Sequence, residues 1–528
     1  MSVPVARSEH DDGGIPYFWP VLSFIYVSLS LLFSFNGLFG NWAISLFGVT
    51  YPVNWDPDGF YIGAGITFSE SRYAGFVGHP GIPLIFCIHA ISRLMHIASF
   101  FSGPAVDFAA FAAKNIFWII LAVKLFITCC YLASFYAVYS VARFYLTKTS
   151  SQIAIAAYAT TGIVLYYFNK ISPEPLLVFF VFFSLWAMFR YVGTHRASGV
   201  SYAYLILSAS AAALALLTKI AIALPLPVFI LGYILSHRMI AAGDKAKGAA
   251  LFLVSFLTVL FLAGQKVDWT YFFNYWFNYA PGTPSYAVGR GVAANIVSAF
   301  MAAYENIFQF VLDLFVWEAW LPGRSSFRGH FNAAALPYLV CSVVGLAMYW
   351  KQNPDMRRRV LAILVLCIAL APLVMYRAAH HYYVIHLAVA SFFAGYCVSS
   401  LAGRVSSSRA RTAAVALVSV LLVNSLSAAI FLRAKYADMR EYARWWKPYF
   451  TALNEMRRKD RIAIVAVSDM TDIPGRIVSY YVDQRSPLCR AFERQFLLFD
   501  EIPPDAVIMN ERIITVLRHT PDGVIKER

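Results

Sequence analysis

Charge is what this chain has least of. Only 13% of its 528 residues are Asp, Glu, Lys or Arg, and just 28 are acidic. A composition so poor in charge excludes a disordered or solvated polar chain. Cysteine usage excludes a disulfide scaffold. Of seven cysteines, Cys129, Cys130, Cys341, Cys367 and Cys397 fall in apolar runs, Cys87 in an apolar helix and only Cys489 in polar sequence. No Cys/His spacing of the zinc type occurs. Internal repeats and low-complexity tracts are also absent. What is abundant is apolar: 60% of residues are hydrophobic and 17% aromatic. Apolar runs of about 20 residues, the length that crosses a bilayer, recur as far as residue 432. The first, Tyr17 to Phe39, has no small-residue cleavage site after it and reads as a retained span.

The net charge of +15 is a topology signal rather than a nucleic-acid footprint. Five short loops, Arg143–Ser150, Arg190–Val200, His237–Gly248, Lys351–Arg359 and Gly403–Arg411, hold 14 Lys and Arg between them. Placing all five on the cytoplasmic side with the N-terminus leaves room for only one crossing between residues 41 and 143. Ile116–Val138 is the better span. The run Ile82–Phe101 carries His89, Arg93 and His96 on one helix face, which predicts an amphipathic helix lying along the interface. Val292–Trp317, with Glu305, Asn306, Gln309 and Asp313 at helical spacing, is expected to lie on the outer surface in the same way. About eleven spans remain, near 17–39, 116–140, 151–168, 174–192, 201–218, 220–236, 248–264, 333–350, 360–376, 383–402 and 412–432.

The expected fold is therefore an all-α polytopic membrane domain over 1–432, with outer juxtamembrane helices and a small outer α/β domain over 433–528. Strand-like runs at 462–467 and 506–509, with helical stretches near 436–459 and 476–482, define that second domain. Two large loops share the outer face, 40–115 and the aromatic-rich 265–332. The aromatic residues of Val267–Gly291 suit an interfacial belt or, alternatively, a lid.

Polar residues of several kinds converge on that face. They are Asp56 and Asp58 in Asn54-Trp55-Asp56-Pro57-Asp58-Gly59-Phe60-Tyr61, His79 in Gly78-His79-Pro80-Gly81, and Asn169, Lys170 and Glu174. Thr218-Lys219 and the group Arg377, His380, His381, Tyr382 and Tyr383 complete the set. A carboxylate can take a proton from a hydroxyl nucleophile, while Lys, Arg and His can hold a phosphate leaving group. Those are the parts of group transfer from a lipid phosphate. Each piece also has a plainer reading. The Asn-Trp-Asp-Pro-Asp-Gly stretch makes a good Asx turn. Glu174 suits the first turn of a helix, Lys219 can snorkel to the interface, and His380-His381 suits an interfacial pair. Lys124, deep in the second span, marks either a function or a buried partner.

The order of the pieces resembles the bacterial branch of the C-type glycosyltransferase (GT-C) superfamily, the group related to protein O-mannosyltransferases and the lipid A aminoarabinose transferase. Pro57-Asp58-Gly59-Phe60-Tyr61 stands at the acidic motif of the first outer loop, His79-Pro80-Gly81 at the element opening a juxtamembrane helix, and Glu174-Pro175-Leu176 at the acidic start of a later span. Leu217-Thr218-Lys219 and His381-Tyr382-Tyr383 follow in order. Two departures are Gly59 in place of the usual second carboxylate and Gly81 in place of a second proline.

The resemblance implies an inverting transferase of the inner membrane, acting on the periplasmic face. Its donor would be a sugar on a polyprenyl phosphate, and its acceptor a lipid, glycan or protein of the envelope such as lipopolysaccharide. It gives Asp58, or its neighbour Asp56, the catalytic role, and places Glu174, His79, Lys219, Arg377, His380, His381, Tyr382 and Tyr61 around the substrates. These residues identify no cofactor. A divalent metal on the aspartates is left open, with no third ligand identifiable. A flippase for a lipid-linked sugar is the alternative, which would want pseudo-symmetric halves and charges within the spans.

Overall fold

The computed structural model describes residues 14–40, 55–69, 81–101, 106–161, 164–165, 168, 170–194, 202–238, 240–267, 269, 327–375, 384–405, 408, 411–412, 415–416, 419, 463–466, 507–509, 512–520 and 523–527. Helices dominate. Along the chain run α1 (Phe18–Gly40), α2 (Trp55–Thr67), α3 (Ile82–Ser99), α4 (Phe108–Ala142), α5 (Lys148–Ala159) and α6 (Glu174–Thr194). Then come α7 (Tyr202–Thr218), α8 (Ile220–Ala223), α9 (Pro225–Ser236), α10 (Ala242–Ala263), α11 (Phe327–Gln352), α12 (Arg357–Met375) and α13 (Val384–Val405). Among the described residues, five helical segments are long and apolar enough to cross a membrane: Ile82–Ser99, Trp118–Ala142, Glu174–Thr194, Ala242–Ala263 and Val384–Arg404. This is a multi-pass membrane protein.

Three departures from the expected spans have local causes. The stretch expected to cross at 151–168 is regular helix only to Ala159, about 18 Å of rise at 1.5 Å per residue. Its residues Ser150–Ala159 are all buried, so α5 is an interior half-helix enclosed by protein. The stretch 220–236 is broken at Leu224, because Pro225 lacks the N–H that would continue the ladder. In α4 the backbone leaves helical geometry at Asn115 (φ −111°, ψ 15°), so the expected span is prolonged by a kinked turn back to Phe108. Of the expected eleventh span only 412, 415–416 and 419 are described, and the helix expected within 292–317 lies outside the described residues.

Helix α3 is the run expected to lie along the interface, and it also has the length and apolarity of a span. Its polar residues bond other parts of the protein, His89 and His96 in part-buried positions and Arg93 in an exposed one. His89 Nδ1 bonds Gly65 O (3.0 Å), Arg93 Nη2 donates to Ser69 Oγ (2.9 Å) and His96 Nε2 bonds Val106 O (2.7 Å). The face left exposed is apolar, with Phe86, Leu94 and Ile97.

Where water is scarce, helices associate through small residues and through polar side chains that satisfy one another. Both devices occur here. Ser184 Oγ of α6 donates to Ser208 O of α7 (2.7 Å), and Ser208 Oγ donates back to Ser184 O (2.9 Å). A Cβ on Gly345 of α11 would stand 1.8 Å from Phe393 O of α13, and one on Gly395 would stand 2.6 Å from the Ala154 backbone of α5. Helix α13 is thereby seated between α11 and α5. Near the C-terminus, β3 (Arg512–Thr520) pairs antiparallel with β1 (Ala463–Ala466), β2 (Val507–Met509) and β4 (Gly523–Glu527). The helical stretches expected in this tail lie outside the described residues.

Backbone meets the glycine at Gly345, so a side chain there has nowhere to go. Gly345→Leu is expected to destabilise the bundle by about 3 kcal/mol or more, read as a lower thermal midpoint and loss of the monodisperse peak in detergent. An unchanged midpoint would mean that α11 and α13 are not packed this closely.

Candidate active site

The acidic motif begins α2. Asp56 and Asp58 fall in its first turn, where unsatisfied N–H groups favour acids and where Pro57 costs no hydrogen bond. The isolated Asx turn that these residue types suit is replaced by helical backbone. From Tyr61 onward that helix is buried in the protein, through Tyr61, Ile62, Ala64 and Ile66.

Tyr61 fixes the next contact. It is 1% exposed, and a Cβ on Gly81 would lie 2.2 Å from its ring atom Cε1. Gly81 caps the N-terminus of α3 in the left-handed region, at φ +56°. Only glycine takes that conformation without strain and also leaves room for the ring. The Gly81 N–H in turn donates to Thr218 O at the end of α7 (3.3 Å). Three separately spaced motifs therefore meet, the one ending in Tyr61, the one ending in Gly81 and the Leu217-Thr218-Lys219 turn.

Lys219 brings in a fourth. Its backbone is extended (φ −150°, ψ 90°) between α7 and α8, and its ammonium donates to Glu174 Oε1, the first residue of α6. Both side chains are buried, at 1% and 3% exposure, so Lys219 does not snorkel. Glu174 is a first-turn acid and an ion-pair partner at once. Lys170 and Ser172, just before it, are buried too. Lys124, which the sequence left without a role, is 2% exposed within α4.

Sequence reasoning missed the far end of α2. There the Thr67 hydroxyl donates to Gly63 O (2.8 Å), His89 takes Gly65 O, and the Lys266 ammonium donates to Phe68 O while lying 4.8 Å from the Phe68 ring centroid. Burial lowers the Lys266 pKa from the usual lysine value. A lone Lys after an apolar run gave no sign of this, because its partner is a main-chain carbonyl. His79, Arg377, His380, His381 and Tyr382 lie outside the described residues. Among those described, no group of three or more His, Cys, Asp or Glu could hold a metal ion.

Comparison with known proteins now bears on the resemblance. Residues 109–262 match the model of the dolichyl-phosphate-mannose-protein mannosyltransferase family. The resemblance to the GT-C superfamily holds over this segment. It runs from α4 to α10 and includes Glu174 and Lys219, while the acidic motif lies before it. No curated protein matches the chain in sequence.

Two solved structures of the archaeal oligosaccharyltransferase AglB from Archaeoglobus fulgidus are similar, each at 15% identity. One, in complex with an inhibitory peptide and a dolichol-phosphate, aligns over 79% of this chain and 56% of its own, with TM-score 0.46. The other, in complex with Zn and sulfate, aligns over 79% and 53%, with TM-score 0.45. The chain spans about half the length of these proteins, and likenesses this loose place no residue and no ligand.

Removing one partner of a buried ion pair strands the other charge, at a cost of roughly 3–5 kcal/mol. Lys219→Met and Glu174→Gln are each expected to lower the thermal midpoint, and the double variant to recover more than half of the combined loss. Strict additivity in that cycle would show that the two residues are not paired.

Proposed function

We propose that this chain is an integral-membrane glycosyltransferase moving a sugar from a polyprenyl-phosphate donor to an envelope acceptor, with inversion at the anomeric carbon. The observation that carries the reading is the meeting of the Tyr61, Gly81, Glu174 and Lys219 motifs at one place, although about 160 residues separate the first from the last. The mannosyltransferase-family match over 109–262 supports the reaction class. On this reading the site faces the periplasm of an inner membrane, 1–432 is the transferase body and 433–528 a small outer α/β domain.

The chemistry follows from the parts. An acceptor hydroxyl oxygen attacks the anomeric carbon, the bond from that carbon to the phosphate oxygen breaks, and the phosphate leaves with the electron pair. Asp58, or Asp56 beside it, takes the hydroxyl proton. Lys219 and the group Arg377, His380 and His381 neutralise the leaving phosphate, with His79 nearby and Tyr61 bracing the acidic motif. Glu174 holds Lys219 in place and faces the sugar or acceptor. Base and leaving group on opposite sides of the reacting carbon give the in-line geometry that displacement needs.

The test is glycan and lipid mass spectrometry of cells lacking the protein, complemented with wild type or Asp58→Asn. Wild type is expected to restore one sugar on an envelope molecule, and Asp58→Asn to restore it roughly a hundredfold less. Full restoration by Asp58→Asn would move the base to Asp56. An unchanged profile in cells that otherwise express the protein would defeat the transferase reading.

A further inference from the structure

The C-terminal end of α2 is held by groups from two other parts of the chain. A helix ends in carbonyls that lack intrahelical partners and carry a partial negative charge, which cations stabilise. At the end of α2 the Thr67 hydroxyl donates to Gly63 O, His89 shares Gly65 O with the Phe68 N–H, Lys266 takes Phe68 O just past the helix, and Arg93 holds Ser69 one residue beyond. His89 and Arg93 come from α3, and Arg93 is itself held over the Phe108 ring at 3.8 Å. Lys266 comes from elsewhere, three residues past the end of α10.

The short segment around Lys266 is also tied to the other side of the site. Val267 is buried, and its N–H donates to Gly264 O (3.0 Å). A Cβ on Gly264 would meet Trp269 Cζ2 at 3.1 Å and Leu217 Cδ2 at 3.4 Å. Leu217 stands two residues before Lys219. The stretch Gly264–Trp269 thus touches the end of the helix that starts with Asp56 and Asp58, and also the turn that carries the ion-paired lysine.

We propose that Lys266 is a positioning residue. By holding the C-terminal end of α2, it keeps the acidic motif at the opposite end aligned with the Leu217–Lys219 turn. The proposal rests on the reading of that motif as catalytic. Its leverage is geometric. Asp58 and Phe68 are separated by about 15 Å of helix, so a tilt of about 5° at one end displaces the other by about 1 Å. A misplacement of that size can lower a rate by roughly a hundredfold.

The experiment uses the full chain in lipid nanodiscs and in complemented cells, with Lys266→Met, Lys266→Gln and Lys266→Arg. Amide hydrogen exchange reports on α2 directly, with α6 as the internal reference. Lys266→Met is expected to speed exchange in the last turn of α2 by about tenfold while α6 stays protected. The same variant should lower the restored envelope glycan at least tenfold, and Lys266→Arg should recover both. Lys266→Gln keeps a donor without the charge and is read in the same way if the Met variant does not fold.

Unchanged α2 exchange in folded Lys266→Met or Lys266→Gln overturns the proposal. So does loosened α2 with full glycan restoration, which would make the contact structural only. If wild type itself restores no glycan, the transferase reading fails and takes the positioning role with it. The exchange result separates that failure from the first.

Discussion

A lysine ammonium and a glutamate carboxylate inside an apolar bundle can stay charged only together. Taking either from water costs several kcal/mol, and the low dielectric that imposes this cost also strengthens their attraction. The Glu174–Lys219 pair therefore constrains everything around it. It ties the start of α6 to the break between α7 and α8, and the backbone beside Lys219 then accepts the Gly81 N–H. Through Gly81 the constraint reaches Tyr61 and the helix of the acidic motif. Elements far apart in sequence become one assembly because the Glu174 and Lys219 charges and the Gly81 N–H find their partners at this junction.

The pair was within reach of the sequence, though not as a pair. Glu174 and Lys219 were each visible as odd charges at apolar boundaries. What joins them is the register of an antiparallel helical hairpin. Ser184 faces Ser208, and moving ten residues back along α6 and eleven forward past α7 arrives at Glu174 and Lys219. Helices of equal rise place their ends together once the middle is aligned. Two small polar residues at the contact between these helices carry that alignment.

Other features were illegible for definite reasons. An apolar run marks burial, but it does not say whether a helix continues, which is why α5 stops at Ala159 and α9 starts afresh at Pro225 within stretches that read as spans. Asp, Pro and Gly serve a tight turn and a helix start equally, so the Asp56–Asp58 stretch admits both readings in sequence, and the structure carries it as the first turn of α2. The polar stripe of α3 had the right periodicity, and only its partner was hidden. Carbonyl oxygens of another segment leave no trace in side-chain patterns. Lys266 escaped notice for the same reason.

On the proposed reading, the electrostatics of the site follow from that neutral pair. A donor phosphate brings negative charge to a place where the Lys219 charge is already matched by Glu174. If Lys219 alone met the phosphate, Glu174 would face a like charge across a low-dielectric gap, and binding would cost more than it gains. The phosphate therefore requires cations beyond the pair. On that reading they come from the Arg377, His380 and His381 group. The pair then serves as a fixed dipole between the start of α6 and the break between α7 and α8. Fixed dipoles stabilise developing charge without reorganising during the reaction, which is where an active site of this kind gains most.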